Sequence, residues 1–188
     1  MLFPICLSNI GETLLNRGRL PAARARFEQA LSIDTKLGDA RSVARDHQAL
    51  AGYYLSAGKV DSAMVFLSDA LKTQQAIGEK PGAASTMSML GEAELLKGEY
   101  KQALGNLGGS SAIAASTGEK EVLATAAATR VRIFSELGCF PAADSALGGA
   151  GSQDDAALSH QVRCYLKLAG AERMSAARRY PETRAACR

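Results

Sequence analysis

The scarcest reactive side chains in this sequence are two histidines, His47 and His160, and four cysteines, Cys6, Cys139, Cys164 and Cys187. No two cysteines form a CxxC pair, and their spacing fits neither a zinc site nor a dense disulfide framework. The thiols therefore read as reduced and the compartment as cytoplasmic. Cys164 falls four residues after His160 and would share its helix face, but no third group nearby completes a nucleophile, base and orienting acid. The run Gly148-Gly149-Ala150-Gly151 lacks the Lys-Ser/Thr that a phosphate-cradling loop needs, and reads as a helix break. Neither HExxH nor GxSxG occurs. Glu92 and Glu94 are two residues apart, on different sides of any helix, so their carboxylates cannot work as a pair. The acids read as solvated helix faces. The residues thus predict no catalytic site, no cofactor and no metal, and a chain that is not an enzyme.

What the sequence does contain is a frame. Gly18, Gly58, Gly98 and Gly138 are spaced 40 apart. With Gly at 18 of 188 positions, the three further matches have a chance probability of roughly 0.001 in any one phase. Other columns keep step: Ala23, Ala63, Ala103, Ala143; Leu20, Val60, Tyr100, Phe140; Phe27, Leu67, Leu107, Leu147. Gly38, Gly78 and Gly118 form a further column, each followed by an acid, Asp39, Glu79 and Glu119. Glycine ends a helix in the left-handed conformation, and the following acid can cap the next helix and meet the positive end of its dipole. Pro21 and Pro81 sit where a helix begins, a position that needs no backbone N–H. Small residues at Gly11, Ala51 and Gly91 would face the alanine column across each helix pair. Helices are expected at about 4–17, 20–37, 40–57, 60–77, 81–97, 100–116, 120–137, 141–148, 155–169 and 171–180. A core of alanine and leucine with 5% aromatics and no Trp suits closely packed helices better than a sheet.

These columns resemble the tetratricopeptide repeat, whose signature runs W-x2-L-G-x2-Y, then A-x3-F, then A. The first unit carries Ile10, Gly11, Leu14, Gly18, Leu20, Ala23, Phe27 and Ala30. The second carries Leu50, Ala51, Tyr54, Gly58, Ala63, Leu67 and Ala70. Leu90, Gly91, Tyr100, Ala103 and Leu107 follow in the third, and Phe134, Phe140, Ala143 and Leu147 in the fourth. The 40-residue period is longer than the usual 34 and is similar to the repeats of kinesin light chains, Pins/LGN scaffolds and Rap-type bacterial regulators. His47 falls in the tryptophan column and is expected to be a packing residue. Glu94 replaces an expected aromatic, Arg130 stands at an ordinarily apolar position, and Gly105, Gly108 and Gly109 weaken one helix.

The resemblance implies an all-α, right-handed superhelical solenoid of antiparallel helix pairs. Residues 1–150 would hold four repeats (about 4–38, 39–78, 79–118 and 119–150), and 151–188 a degenerate fifth pair or cap with a basic tail. It also implies a scaffold that binds a peptide or protein partner in its concave groove; the alternative is the sensor segment of a larger signalling protein, a kinase or transcription regulator, whose output domain lies outside this chain. Carried over position by position, the groove comprises Asn9, Glu12, Asn16, Arg45, Gln48, Ser56, Ser88, Met89, Glu92, Thr125, Thr129 and Arg132, with Ser8, Ala49, Gly52 and Ser85 beside them. Arg45 and Arg132 are the expected anchors. Glu12, Gly52 and Glu92 stand where a carboxylate clamp for chaperone C-termini would need Asn, which argues against that partner. Residues 161–188 carry seven basic side chains against two acidic ones, in a chain of net charge +3. With no interleaved aromatics apart from Tyr165 and Tyr180, this tail reads as a soluble end rather than a nucleic-acid binder, and no apolar run is long enough to span a membrane. At the other end Leu2, Phe3, Ile5 and Leu7 have no preceding helix to cover them. The chain is therefore expected to be part of a longer array, and to self-associate through this end or fray there.

Overall fold

The computed structural model describes residues 3–148, 168–172 and 174–175. Up to residue 148 the sequence columns become eight helices in consecutive pairs: α1 (Phe3–Asn16), α2 (Leu20–Leu37), α3 (Ala40–Ser56), α4 (Val60–Ala76), α5 (Lys80–Lys97), α6 (Tyr100–Thr117), α7 (Lys120–Glu136) and α8 (Phe140–Gly148). No strand occurs among the described residues. Each boundary falls within about a residue of its predicted place, because each is written by turn chemistry. At Gly38 the backbone enters the left-handed region at φ 70°. The Gly38 N–H donates to Thr35 O and the Asp39 N–H to Asp34 O, both at 3.2 Å, satisfying two carbonyls that the helix leaves open. The same conformation recurs every 20 residues from Gly18 to Gly138, so the glycine frame marks both turns of each pair. The acid after it behaves unevenly. Asp39 accepts from the Ser42 N–H at 3.2 Å and Glu79 from the Gly82 N–H at 3.1 Å, whereas Glu119 makes no side-chain cap.

The helices fall into two compact units, Met1–Ala93 and Glu94–Arg188, with α5 contributing to both. In the first unit Ala23, Phe27, Leu50 and Tyr53 form one apolar cluster, and Ala51, Ala63, Leu67, Leu90 and Ala93 another. Gly11 lies against the ring of Phe27, so the small residue of α1 makes room for the aromatic column. His47 packs edge-on to Phe66, centroids 5.7 Å apart, as its place in the tryptophan column predicted. In the second unit Leu95, Ala103, Leu107, Ala126 and Ile133 cluster, and Ala169 joins Ala124, Ala128, Val131, Ala143 and Ala146. Helix α6 runs unbroken through Gly105, Gly108 and Gly109. Arg130 is accommodated by laying its guanidinium over Phe134, 5.9 Å from the ring centroid.

Four expectations need correction. Glu94 is not a solvated acid: it is buried, and its two carboxylate oxygens accept from Asn106 Nδ2 at 2.8 and 2.9 Å. Leu7 is buried, although Phe3 and Ile5 of the same turn are exposed. Residues 168–172 are helical straight through Gly170, where a break between two helices was expected. Cys139 is disulfide-bonded while Cys6 is free, so the reading of all four thiols as reduced fails, and with it that argument for the cytoplasm. Leu2, Gly149, Gly151, His160, Cys164, Cys187, the helix expected from 155 as far as 167 and almost all of the basic tail lie outside the described residues.

Candidate functional site

The first unit holds a cavity of about 270 Å³ lined by Glu12, Leu15, Phe27, Arg45, Gln48, Ala49, Gly52, Ser85 and Met89. It is built by the repeat: α1, α3 and α5 are the first helices of successive pairs, and each presents the same face. Gly52 keeps it open, since a Cβ there would find only Met89 Cε, 4.0 Å away. Phe27 is fully buried and, with Leu15, Ala49 and Met89, makes the lining largely apolar. Glu12 and Arg45 are exposed and bring opposite charges to it. The Arg45 guanidinium is lightly engaged, donating from Nη2 to Ser42 Oγ at 3.3 Å.

Of the twelve positions expected in the groove, Glu12, Arg45, Gln48 and Met89 line this cavity. Asn9, Asn16 and Ser56 are exposed but do not line it, and Glu92 is half-buried. Ser56 Oγ donates to Gly52 O at 2.9 Å. Ser88 is buried and its Oγ has no hydrogen-bond partner, so it faces the helix stack although Gln48, forty residues earlier, lines the cavity. In the second unit Thr129 is fully buried, its hydroxyl donating to Thr125 O at 3.1 Å. Thr125 donates likewise to Glu121 O at 2.8 Å. Burial of Thr129 follows from α7 itself, where Ala126, Ala127 and Ala128 are all buried: three consecutive inward alanines leave little of the helix outside. Arg132, an expected anchor, faces Glu172, with Nε and Oε2 3.5 Å apart.

The first unit also holds a polar cluster that the sequence reading missed. Ser8 of α1, Asp34 of α2 and Asp46 of α3 are buried, at 6%, 3% and 0% exposure. Ser8 Oγ donates to Asp46 Oδ1 at 2.9 Å, and Asp34 lies within hydrogen-bonding reach of Asp46. Burial, and then the Asp34 charge, push the Asp46 carboxyl up to about 6, against the lowering effect of the Ser8 hydrogen bond. The other oxygens, Asp34 Oδ2 and Asp46 Oδ2, have no partner. Forty residues on, Gln48, Gln74 and Thr86 occupy the same columns. There Gln48 Nε2 donates to Thr86 Oγ1 at 2.8 Å, and Thr86 Oγ1 to Gln74 Oε1 at 2.7 Å. The columns 8/48, 34/74 and 46/86 were visible in the 40-residue phase, but polar residues in a buried column carry no periodic signal of their own.

A family model described as tetratricopeptide repeat matches residues 5–76. Among solved structures, the chain is similar to a putative kinesin light chain from Podosopora anserina with nearly identical TPR-like repeats. The two are 20% identical, with a TM-score of 0.70 over 97% of this chain and 92% of that one. A single-substitution variant of that protein gives a TM-score of 0.71 at the same identity and coverage. No curated protein matches the sequence. At this identity the likeness to the solved structures establishes the fold.

Proposed function

Since the chain carries tetratricopeptide repeats from residue 5 to residue 76 and keeps a TPR-like fold beyond them, we propose that it is a protein-interaction scaffold that holds a peptide segment of its partner in the groove formed by α1, α3 and α5. Repeats of this type are generally interaction scaffolds. The observation that carries the finer reading is the cavity over Gly52. It is an apolar slot flanked by a carboxylate from α1 and a guanidinium from α3, which suits one apolar side chain of an extended peptide with an acidic neighbour to meet Arg45. The slot is large enough for a Leu or Met side chain.

Peptides selected from a random display library on the purified chain provide the test. Gly52→Trp fills the slot from a position with open space above its Cα, and Arg45→Ala removes the donor. Arg26→Ala, on the exposed face of α2, serves as the control. The selected peptides should lose binding to Gly52→Trp entirely, weaken about tenfold or more on Arg45→Ala, and be indifferent to Arg26→Ala. Selected peptides that bind Gly52→Trp as well as the parent would sink the reading.

A further inference from the structure

The buried trio Ser8, Asp34 and Asp46 joins three helices at the junction between the first and second helix pairs. Two carboxylates in contact, both shut away from water, cannot both be ionised at ordinary cost. Each has one oxygen with no donor, and the one hydroxyl present, Ser8 Oγ, serves a single oxygen of Asp46. The missing donor is a proton. Placed on Asp46 it makes a carboxyl O–H that donates to Asp34, and the arrangement becomes a chain from Ser8 to Asp46 to Asp34. The second junction carries that same chain without a titratable group, from Gln48 to Thr86 to Gln74. In both, the middle residue accepts from the first helix of the preceding pair and donates to the second.

We propose that Ser8, Asp34 and Asp46 form a proton-locked clip: one shared proton holds α1 and α2 against α3, and its loss loosens the first helix pair and with it the α1–α3 side of the groove. The groups facing the pair are few. From α1 comes Ser8 and from α2 Asp34; on α3 itself exposed Arg45 exerts a weak opposing pull. The next residue, His47, turns instead toward Phe66 and feels Asp69 of α4. No cation among the described residues is buried with the two carboxylates to replace the proton. The Asp46 carboxyl titrates near 6 rather than at its ordinary 3.8, which places the lock within the range that cellular compartments span. A hundredfold preference of the folded junction for the protonated form corresponds to a shift of about two pH units.

The clip is read by amide hydrogen exchange of α1 and α2 in the full chain between pH 5 and 8, each rate corrected for intrinsic exchange. Protection in these two helices should fall by about tenfold between pH 5 and pH 8, nearly all of it by pH 7 because the folded-state carboxyl titrates near 6, while α6 changes little. Asp46→Asn keeps a donor toward Asp34 and carries no titrating proton, so its profile should be flat. A second variant guards against misfolding of the first: Ser8→Gln, Asp34→Gln and Asp46→Thr together install the neutral set of the second junction, and should also give a flat profile. A flat wild-type profile overturns the proposal, as does a pH-dependent loss of protection that persists in either variant. Because no partner enters the measurement, its failure would leave the groove reading untouched, and failure of the groove reading would leave the clip.

Discussion

Replacing Gly11 by Ala should test how tightly the repeat frame packs its first pair. An added Cβ would sit 2.5 Å from Phe27 Cε1, 2.7 Å from Cδ1 and 3.0 Å from Cζ, far inside the 3.5–4.0 Å at which carbon atoms attract. Phe27 is fully buried and its ring cannot step aside without displacing Leu50 or Tyr53 of the same cluster. Overpacking of this kind costs about 1–3 kcal/mol, and the better helix propensity of Ala returns up to about 1 kcal/mol. The net should be a loss of about 1–2 kcal/mol. The second pair shows the cure, because there Ala51 stands in the Gly11 column and Leu67 in the Phe27 column, both fully buried. Phe27→Leu alone should leave a void and cost about 1–2 kcal/mol. The double variant should be more stable than the sum of the two losses by at least about 1 kcal/mol. Urea unfolding followed by circular dichroism measures all four corners of the cycle. If the two losses simply add, Gly11 and Phe27 do not share the contact described, and the account of the small-residue column is wrong.

Three further outcomes are expected. Ser88 Oγ is buried without a partner, so Ser88→Ala should be neutral or stabilise by about 1 kcal/mol, whereas Ser8→Ala, which strips the donor from Asp46, should destabilise; urea midpoints separate the two. Gly105 and Gly108 lie inside α6 with nothing near the site of a Cβ, so changing each to Ala should raise stability by about 0.5–1 kcal/mol in the same assay. The Asp46 carboxyl, raised from 3.8 to about 6, adds stability that is fully present below pH 3.8 and lost as pH rises through 6, about 3 kcal/mol in all. His47, whose pKa burial lowers, acts oppositely and loses stability on acidification below its ordinary 6.5. The Asp46 contribution is therefore read as the difference between wild type and Asp46→Asn across pH, and a difference that does not vary with pH refutes it.

The helices and their ends were legible because glycine in the left-handed turn, proline at a helix start and the alanine column are local signals repeated in phase. The groove was legible only in part. Glu12, Arg45, Gln48 and Met89 share the cavity, but Ser88 and Thr129, each forty residues on from Gln48 and Met89, are buried, so a place in the column does not by itself fix exposure. The acids were misjudged for a related reason. Asp34, Asp46 and Glu94 look like solvated residues in sequence, and nothing in spacing alone says that Asp46 meets Asp34 twelve residues earlier, across a turn.

The three buried columns suggest how chemistry enters a repeat. At the first junction they read Ser8, Asp34, Asp46, at the second Gln48, Gln74, Thr86, and in the next phase Ser88, Ala114, Ala126. The second set closes without a proton, because an amide, a hydroxyl and an amide supply a donor for every acceptor used. Of the residues in that phase, Ala114 and Ala126 are each fully buried, and Ser88 is buried with an orphan hydroxyl. The backbone frame is indifferent to these choices; the glycine turns and helix lengths hardly change from pair to pair. What changes is whether the hydrogen-bond set is complete and on what condition. Of the two hydrogen-bonded sets, the first is complete only conditionally, on a proton, and its α1 and α3 are the helices that carry Glu12 and Arg45. A fold made of near-identical units thus acquires a titratable joint at one place by changing residues that a search for active-site motifs would pass over.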